Sequence, residues 1–149
     1  MNWQLKKFDE LSVQELYAIL QLRNEVFIIE QNCIYPDLDN KDQLSYHLMC
    51  WKEDKLIAYT RLLPPGITYQ NPSVGRVVTA ASVRRSGIGR ELMIRSITHC
   101  EILFGKKSIS LSAQLYLKKF YESLDFSPTS DVYLEDGIPH LEMTRNPSK

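Results

Sequence analysis

The chain has 149 residues, and its 18 basic and 18 acidic side chains leave no formal net charge. A neutral chain has no general attraction to nucleic acid or to an anionic membrane. Its hydrophobic fraction of 44% is that of a globular protein, and its length predicts one domain over residues 1–149 with a substantial core.

Cys33, Cys50 and Cys100 are far apart and form no CxxC pair. That spacing argues against a disulfide scaffold and against structural zinc. They read as small buried hydrophobes in a reducing compartment. The opening MNWQLKKFDELS has no apolar core after its lysines, and no apolar run approaches the roughly 20 residues of a membrane helix. The expected location is the cytoplasm, with no membrane partner.

Trp3–Phe8 alternates as a first strand. Residues 12–25 predict a helix: Ser12 and Glu15 form a capping-box pair, and Leu16, Ile19, Leu20 and Arg23 recur at helical spacing. Arg23 falls on the inward stripe, where it either reaches a polar group or snorkels to solvent. A second short helix is expected over Val26–Gln31. The following YPDLDNKDQ carries Asp37, Asp39 and Asp42 among turn formers and reads as an exposed, solvated loop; its spacing is not that of an EF-hand.

His47–Lys52 and Leu56–Leu63 predict a hairpin around Glu53-Asp54-Lys55, ended by Pro64-Pro65-Gly66. Gly75–Thr79 begins another strand. Gly87–Phe104 is the strongest helix, with Met93, Ile97, Cys100 and Phe104 on one stripe and Gly105 at its end. Ser108–Ser112 predicts a strand, Leu115–Leu124 a helix, and Val132–Leu134 with Leu141–Thr144 a terminal pair joined by an Asp136-Gly137 turn. The order predicts a single α/β domain with a central mixed β-sheet flanked by helices.

The junction GRVVTAASVRRSGIGRELM, residues 75–93, carries most of the functional information. A hydrophobic strand feeds a turn, and the turn opens a long amphipathic helix. Gly87 and Gly89 at the helix start leave room for a ligand to approach the first-turn amides, which lack intrahelical partners. Such an end binds phosphate or pyrophosphate. Arg84, Arg85 and Arg90 add positive charge, and from Arg84 to Lys119 there are eight basic and two acidic residues. The pattern is neither a Walker A loop nor GxGxxG. Relief of crowding at a strand-to-helix turn is the alternative reading of the glycines.

Arg84, Gly87 and Gly89 match the signature of the GNAT superfamily of acyl-CoA-dependent N-acetyltransferases: Arg or Gln, two residues, Gly, one residue, Gly or Ala. The chain resembles the ElaA family within it through LRNEVFIIEQNCIYPDLDNKD (22–42), GRVVTAASVRRSGIG (75–89), LSAQLYLKKFYESLDF (111–126) and EDGIPHLEM (135–143). The resemblance spans nearly the whole chain and implies a twisted GNAT-like sheet.

It also implies acetyl-CoA as cosubstrate, no metal, and an acetyl group moved to a primary amine of a small molecule or peptide. Val77, Val78 and Thr79 then face the acetyl and pantetheine arm. Arg84, Arg85, Ser86, Gly87, Ile88, Gly89 and Arg90 hold the pyrophosphate, and Tyr121 stands near the cofactor sulfur. Three positions depart from the family habit: Ala81 for proline, Arg85 for glycine, and Asp125 for the glycine of FYxxxGF.

Direct attack on a thioester needs an uncharged amine, a polarised carbonyl and a protonated leaving thiolate. Amides near Val78 or Thr79 suit the second task. Tyr121, a proton donor at neutral pH, suits the third, unless it is only a packed core aromatic. Glu30, Asp42, His47 and His140 are the candidate bases. Gln114 either binds the pantetheine arm or caps a helix.

A non-catalytic acyl-CoA-binding or protein-interaction domain is the competing reading. LRNEVFIIEQ also suggests a relative of acyl-homoserine-lactone synthases, which are longer and need an S-adenosylmethionine site. A homodimer is compatible with a domain this small. Ten acidic residues against six basic ones in the first 60 favour a cationic acceptor, provided that half supplies its pocket.

Overall fold

The computed structural model describes residues 1–147. Eight strands form one sheet: β1 (Asn2–Lys7), β2 (Tyr46–Lys52), β3 (Lys55–Leu63), β4 (Ser73–Thr79), β5 (Ile109–Gln114), β6 (Phe126–Pro128), β7 (Tyr133–Glu135) and β8 (Ile138–Arg145). Their order is β1-β2-β3-β4-β5-β8-β6, with β7 also on β8. Only β4 and β5 run parallel, as the helix between them requires. The mixed α/β architecture expected from the sequence is therefore present. The short strand β6 has no signal in the sequence, because three residues ending in proline cannot show a period.

The central strands are long apolar runs because both faces of the sheet are covered. In β3, all eight residues from Leu56 to Leu63 are buried. On one face lies α1 (Val13–Arg23), whose Ile19 and Leu22 pack with Met49, Tyr59 and Val78. On the other lie α2 (Ile88–Phe104) and α3 (Lys118–Glu122). There Met93, Ile97 and Cys100 meet Val74, Leu111, Tyr121 and Phe126. A buried hydroxyl pair, Thr60 with Ser96 at 2.8 Å, joins β3 to α2.

Ser12 caps α1 as its sequence demands: its Oγ accepts from the Glu15 amide, and Glu15 returns a bond to the Ser12 amide at 2.8 Å. The predicted second helix is not separate. The chain continues from α1 into a wider coil over Asn24–Glu30 with bonds from residue i+5 to residue i, such as Gln31 N to Val26 O at 3.1 Å. Such π segments occur often at functional sites. The expected Leu115–Leu124 helix divides into a tight 3-10 turn, Leu115–Leu117, and the short α3. All three cysteines are buried free thiols. Among the described residues, no helix is long and apolar enough to cross a membrane.

Candidate active site

The parallel strands β4 and β5 pair at a single position, Ser73 with Ser110. Beyond it they share no ladder, so their C-terminal halves separate and open a crevice at the strand ends. Ligands of open α/β sheets bind in crevices of this kind. Val77, Val78 and Thr79 form its β4 border. The β3–β4 register slips there: Tyr59 faces Val78, whereas Arg61 faces Gly75. One residue too many has been fitted into β4, and Arg76 takes φ = 51° to accommodate it. A bulge breaks the ladder and re-aims the backbone beside the crevice.

The loop after β4 leads into α2 at the same end. Gly87 has φ = 86° and a Cβ there would be strained, while α2 proper begins at Ile88. Gly89 lies in the first turn, and a Cβ on it would meet no heavy atom within 4 Å. Steric relief inside the protein therefore does not account for Gly89. Among the described residues, the amides of Ser86, Gly87, Ile88 and Gly89 donate to no protein acceptor outside the helix ladder. Arg85 adopts φ = 66° where the family habit is glycine, so the turn keeps its left-handed step without one. Asp125 does the same after α3, at φ = 71°.

Tyr121, on α3, lies in the apolar cluster between the sheet and α2. Its ring packs edge-on against Phe120 and Phe126, at 5.1 and 5.9 Å between centroids. Val77 packs on the same apolar cluster, so tyrosine and bulged strand share one neighbourhood. Only 4% of Tyr121 is exposed, and its hydroxyl makes no hydrogen bond among the described residues. Burial, with Tyr116 nearby, pushes its pKa above that of an ordinary tyrosine.

Residues 9–146 match the family described as the Acetyltransferase (GNAT) domain. ElaA of Escherichia coli is 41% identical over 97% of this chain and 96% of its own length. The crystal structure of E. coli ElaA superposes with a TM-score of 0.90 at 40% identity, covering 98% of this chain and all of that one, 100%. An acyl-CoA N-acyltransferase from Pseudomonas aeruginosa gives 0.92 at 41% identity, over 97% and 99% of the two chains. The chain belongs to the ElaA family of the GNAT superfamily. A CoA-dependent acyl-homoserine lactone synthase shares the fold alone, with a TM-score of 0.80 at 14% identity, over 97% of this chain and 82% of that one.

In this GNAT protein two predicted site residues meet each other. The Arg84 guanidinium grips both carboxylate oxygens of Glu30 and also donates to the Thr79 carbonyl at 3.3 Å. Arg84 pulls the Glu30 carboxyl below the usual carboxylate range, outweighing a smaller effect of burial. The next residues extend that contact across the crevice mouth. Gln114 donates to Gln31 at 3.3 Å, and the Cys33 thiol donates to the Asp136 carbonyl at 3.4 Å. Residues 30–33 thus tie the loop between β4 and α2, the end of β5 and the β7–β8 turn together.

His140 lies opposite Gln114 in the β5–β8 register. Its Nδ1 is 2.7 Å from the Ile138 carbonyl and so carries a proton there, while Nε2 stands 3.4 Å from a Glu135 oxygen. Arg90 is held by the Ser123 hydroxyl at 3.0 Å.

The aspartate loop contradicts the reading of a solvated segment. Asp37, Asp39 and Asp42 fold inward onto Arg23, Arg61 and Arg76. Arg23, wholly buried, donates through Nε to Asp37 at 2.9 Å and through Nη1 to Asp42 at 2.8 Å. It does not snorkel. Arg61 spans Asp39 and Asp42, and Arg76 donates to Asp37 at 2.7 Å. The acidic excess of the first 60 residues is thereby neutralised largely inside the protein.

Two of the four base candidates also belong to this cluster. Asp42 is only 6% exposed, and His47 is enclosed between the Tyr59 hydroxyl at 2.7 Å and the Asp42 carbonyl at 2.9 Å. Sequence patterns carry no sign of this cluster, because its partners lie 14 to 39 positions apart.

The cluster sets the response to acid. Burial would raise Asp39 and Asp42, but Arg61, with Arg23 or Arg76, outweighs it and leaves both below the ordinary carboxylate value. Burial lowers His47, and likewise His99. Groups with depressed folded-state values stabilise fully above their unfolded values and lose that contribution as pH falls through the folded ones. The urea midpoint should therefore decline in two steps, one starting near pH 6.5 from the histidines and one below about pH 4 from the aspartates. A midpoint that is flat from neutrality down to about pH 4 would contradict a neutral, enclosed His47.

Proposed function

We propose that this protein transfers an acetyl group from acetyl-CoA to a primary amine, by direct attack within a ternary complex. The reading is carried by one observation: four consecutive amides around Gly87 are free at the opening of α2, directly beyond the strand that borders the crevice. Such amides suit a pyrophosphate. Arg85, exposed in the same loop, adds charge to that end. The pantetheine arm then runs along Val77, Val78 and Thr79, with the bulge amides polarising the thioester carbonyl.

The amine nitrogen bonds to the acyl carbon, the carbon–sulfur bond breaks, and Tyr121 protonates the departing thiolate. Tyr121 holds its proton at neutral pH and so has one to give, although burial, which raises its pKa, makes it a weaker acid than an exposed tyrosine. The amine must lose a proton as it attacks. Glu30 is a poor acceptor while Arg84 holds both its oxygens. His140 suits the task better: Nδ1–H is committed to the Ile138 carbonyl, so in the neutral ring Nε2 carries the lone pair, with a Glu135 oxygen 3.4 Å away. Gln114 and Arg84 serve as positioning residues at the mouth.

Gly89 separates this reading from a purely structural loop. Gly89→Ala removes backbone freedom within a helix, and the methyl meets nothing in the protein. Stability should rise by about 0.5–1 kcal/mol in a urea titration. Acetyl-CoA affinity measured by calorimetry should fall at least tenfold, because the methyl occupies the approach to the free amides. Unchanged affinity in a stabilised variant would remove the phosphate role from this loop.

A further inference from the structure

Between α1 and residues 34–38 lies a cleft of about 520 Å³. A pocket of this size suits a small-molecule ligand. Its walls are Leu20, Ile28, Ile34, Tyr35 and Leu38, and its single carboxylate is Asp37. Ile34 is 99% exposed and Leu38 65% exposed, an unusual display for aliphatic side chains on neighbouring turns of one loop. Nothing in the fold requires them there.

Asp37 has three of its four lone-pair sites filled, two of them by guanidinium groups. Its Oδ1 accepts from Arg76 at 2.7 Å and from the Tyr35 hydroxyl at 2.9 Å, and its Oδ2 accepts from Arg23 at 2.9 Å. The cleft therefore presents apolar surface, the neutral amide of Asn24 and a carboxylate whose charge is already matched by two arginines. A polycation entering it would lose hydration and find no unpaired carboxylate in exchange.

The cleft and the bulged strand touch at Arg76. The Arg76 guanidinium stands 5.8 Å from the centre of the Tyr35 ring and is tied to Asp37. Arg76 is also the bulge residue that precedes Val77. One wall of the cleft thus rests on the strand that borders the crevice. The loop carrying Ile34 starts from Cys33, the end of the segment that crosses the crevice mouth.

We propose that this cleft selects the acceptor as a primary amine on an apolar body, alkyl or aryl, over polyamines and amino sugars. The inference rests on the acyl-transfer reading and gives it a substrate class. The amine projects past Arg76 toward the thioester carbon, while its apolar body is covered by Ile34 and Leu38. The nitrogen gains the acyl carbon and gives up a proton, and the sulfur leaves with one.

The test measures free thiol released from acetyl-CoA with hexylamine, phenethylamine, spermidine and kanamycin as acceptors. Wild type and Ile34→Glu are compared, with acetyl-CoA affinity and sedimentation recorded for both. Ile34 is exposed, so the substitution leaves folding intact. The expected result is a kcat/KM at least tenfold higher for the two apolar amines. Ile34→Glu should lower that value about tenfold while acetyl-CoA affinity holds.

Equal or better turnover of spermidine or kanamycin would overturn the assignment. So would turnover of no apolar amine by a protein that binds acetyl-CoA, or an unaltered kcat/KM in Ile34→Glu. A wild-type dimer that Ile34→Glu dissociates would make the cleft a contact between copies and also overturn it. Failure of wild type to bind acetyl-CoA would bring down the acyl-transfer reading itself.

Discussion

Arg23→Met should destabilise the protein by about 3–5 kcal/mol, the cost of removing one partner from a buried ion cluster. Arg23 is wholly buried and donates to Asp37 and Asp42, side chains that α1 faces from across the aspartate loop. Its removal leaves one oxygen of Asp37 without its cation and weakens the hold on Asp42. Arg61 still holds Asp42 and Arg76 still holds Asp37, but three carboxylates are then left with two guanidinium groups. The loss would be a large fraction of the roughly 5–15 kcal/mol that holds a domain together.

Urea unfolding measures it directly. Adding Asp42→Asn to Arg23→Met should recover part of the loss, because one uncompensated charge is gone. A loss below about 1 kcal/mol would place Arg23 in the class of exposed ion pairs, against its burial.

Tyr121→Phe should lower kcat by about 10²-fold, a typical contribution from one proton donor. Acetyl-CoA affinity and thermal stability should stay where they are. Such a result separates a catalytic hydroxyl from a structural one, because the hydroxyl has no hydrogen-bond partner among the described residues. Phenylalanine keeps both edge-on ring contacts, with Phe120 and Phe126. Losing a hydroxyl that makes no hydrogen bond to the described residues costs little stability. A structural tyrosine would therefore leave the rate unaltered, and a rate unaltered with an accepted amine would remove Tyr121 from the mechanism. The expected loss is greatest at alkaline pH, where the solvent is the poorer proton source.

Local signals in the sequence were enough to place the strand–loop–helix around Gly87, because its parts are contiguous and each has its own chemistry. The capping pair Ser12–Glu15 and the Asp136-Gly137 turn were legible for the same reason. What stayed hidden was long-range. Arg23 looked like one stripe residue among several, and the aspartates looked like turn formers. Their pairing depends on three arginines brought together from α1, β3 and β4. The Glu30–Arg84 contact spans 54 positions, and it joins two residues that the sequence offered for separate tasks. The bulge at Arg76 was equally silent, since a positive φ at arginine has no compositional mark.

We propose that the free amides at the start of α2 take the anionic tail of the cofactor. The most direct measurement is an amide nitrogen–proton NMR titration of the protein with acetyl-CoA. The signals of Ser86 to Arg90 should move first and furthest, with those of Val77 to Thr79 following. Saturable binding that leaves the Ser86–Arg90 signals in place would contradict it, as would no binding at all.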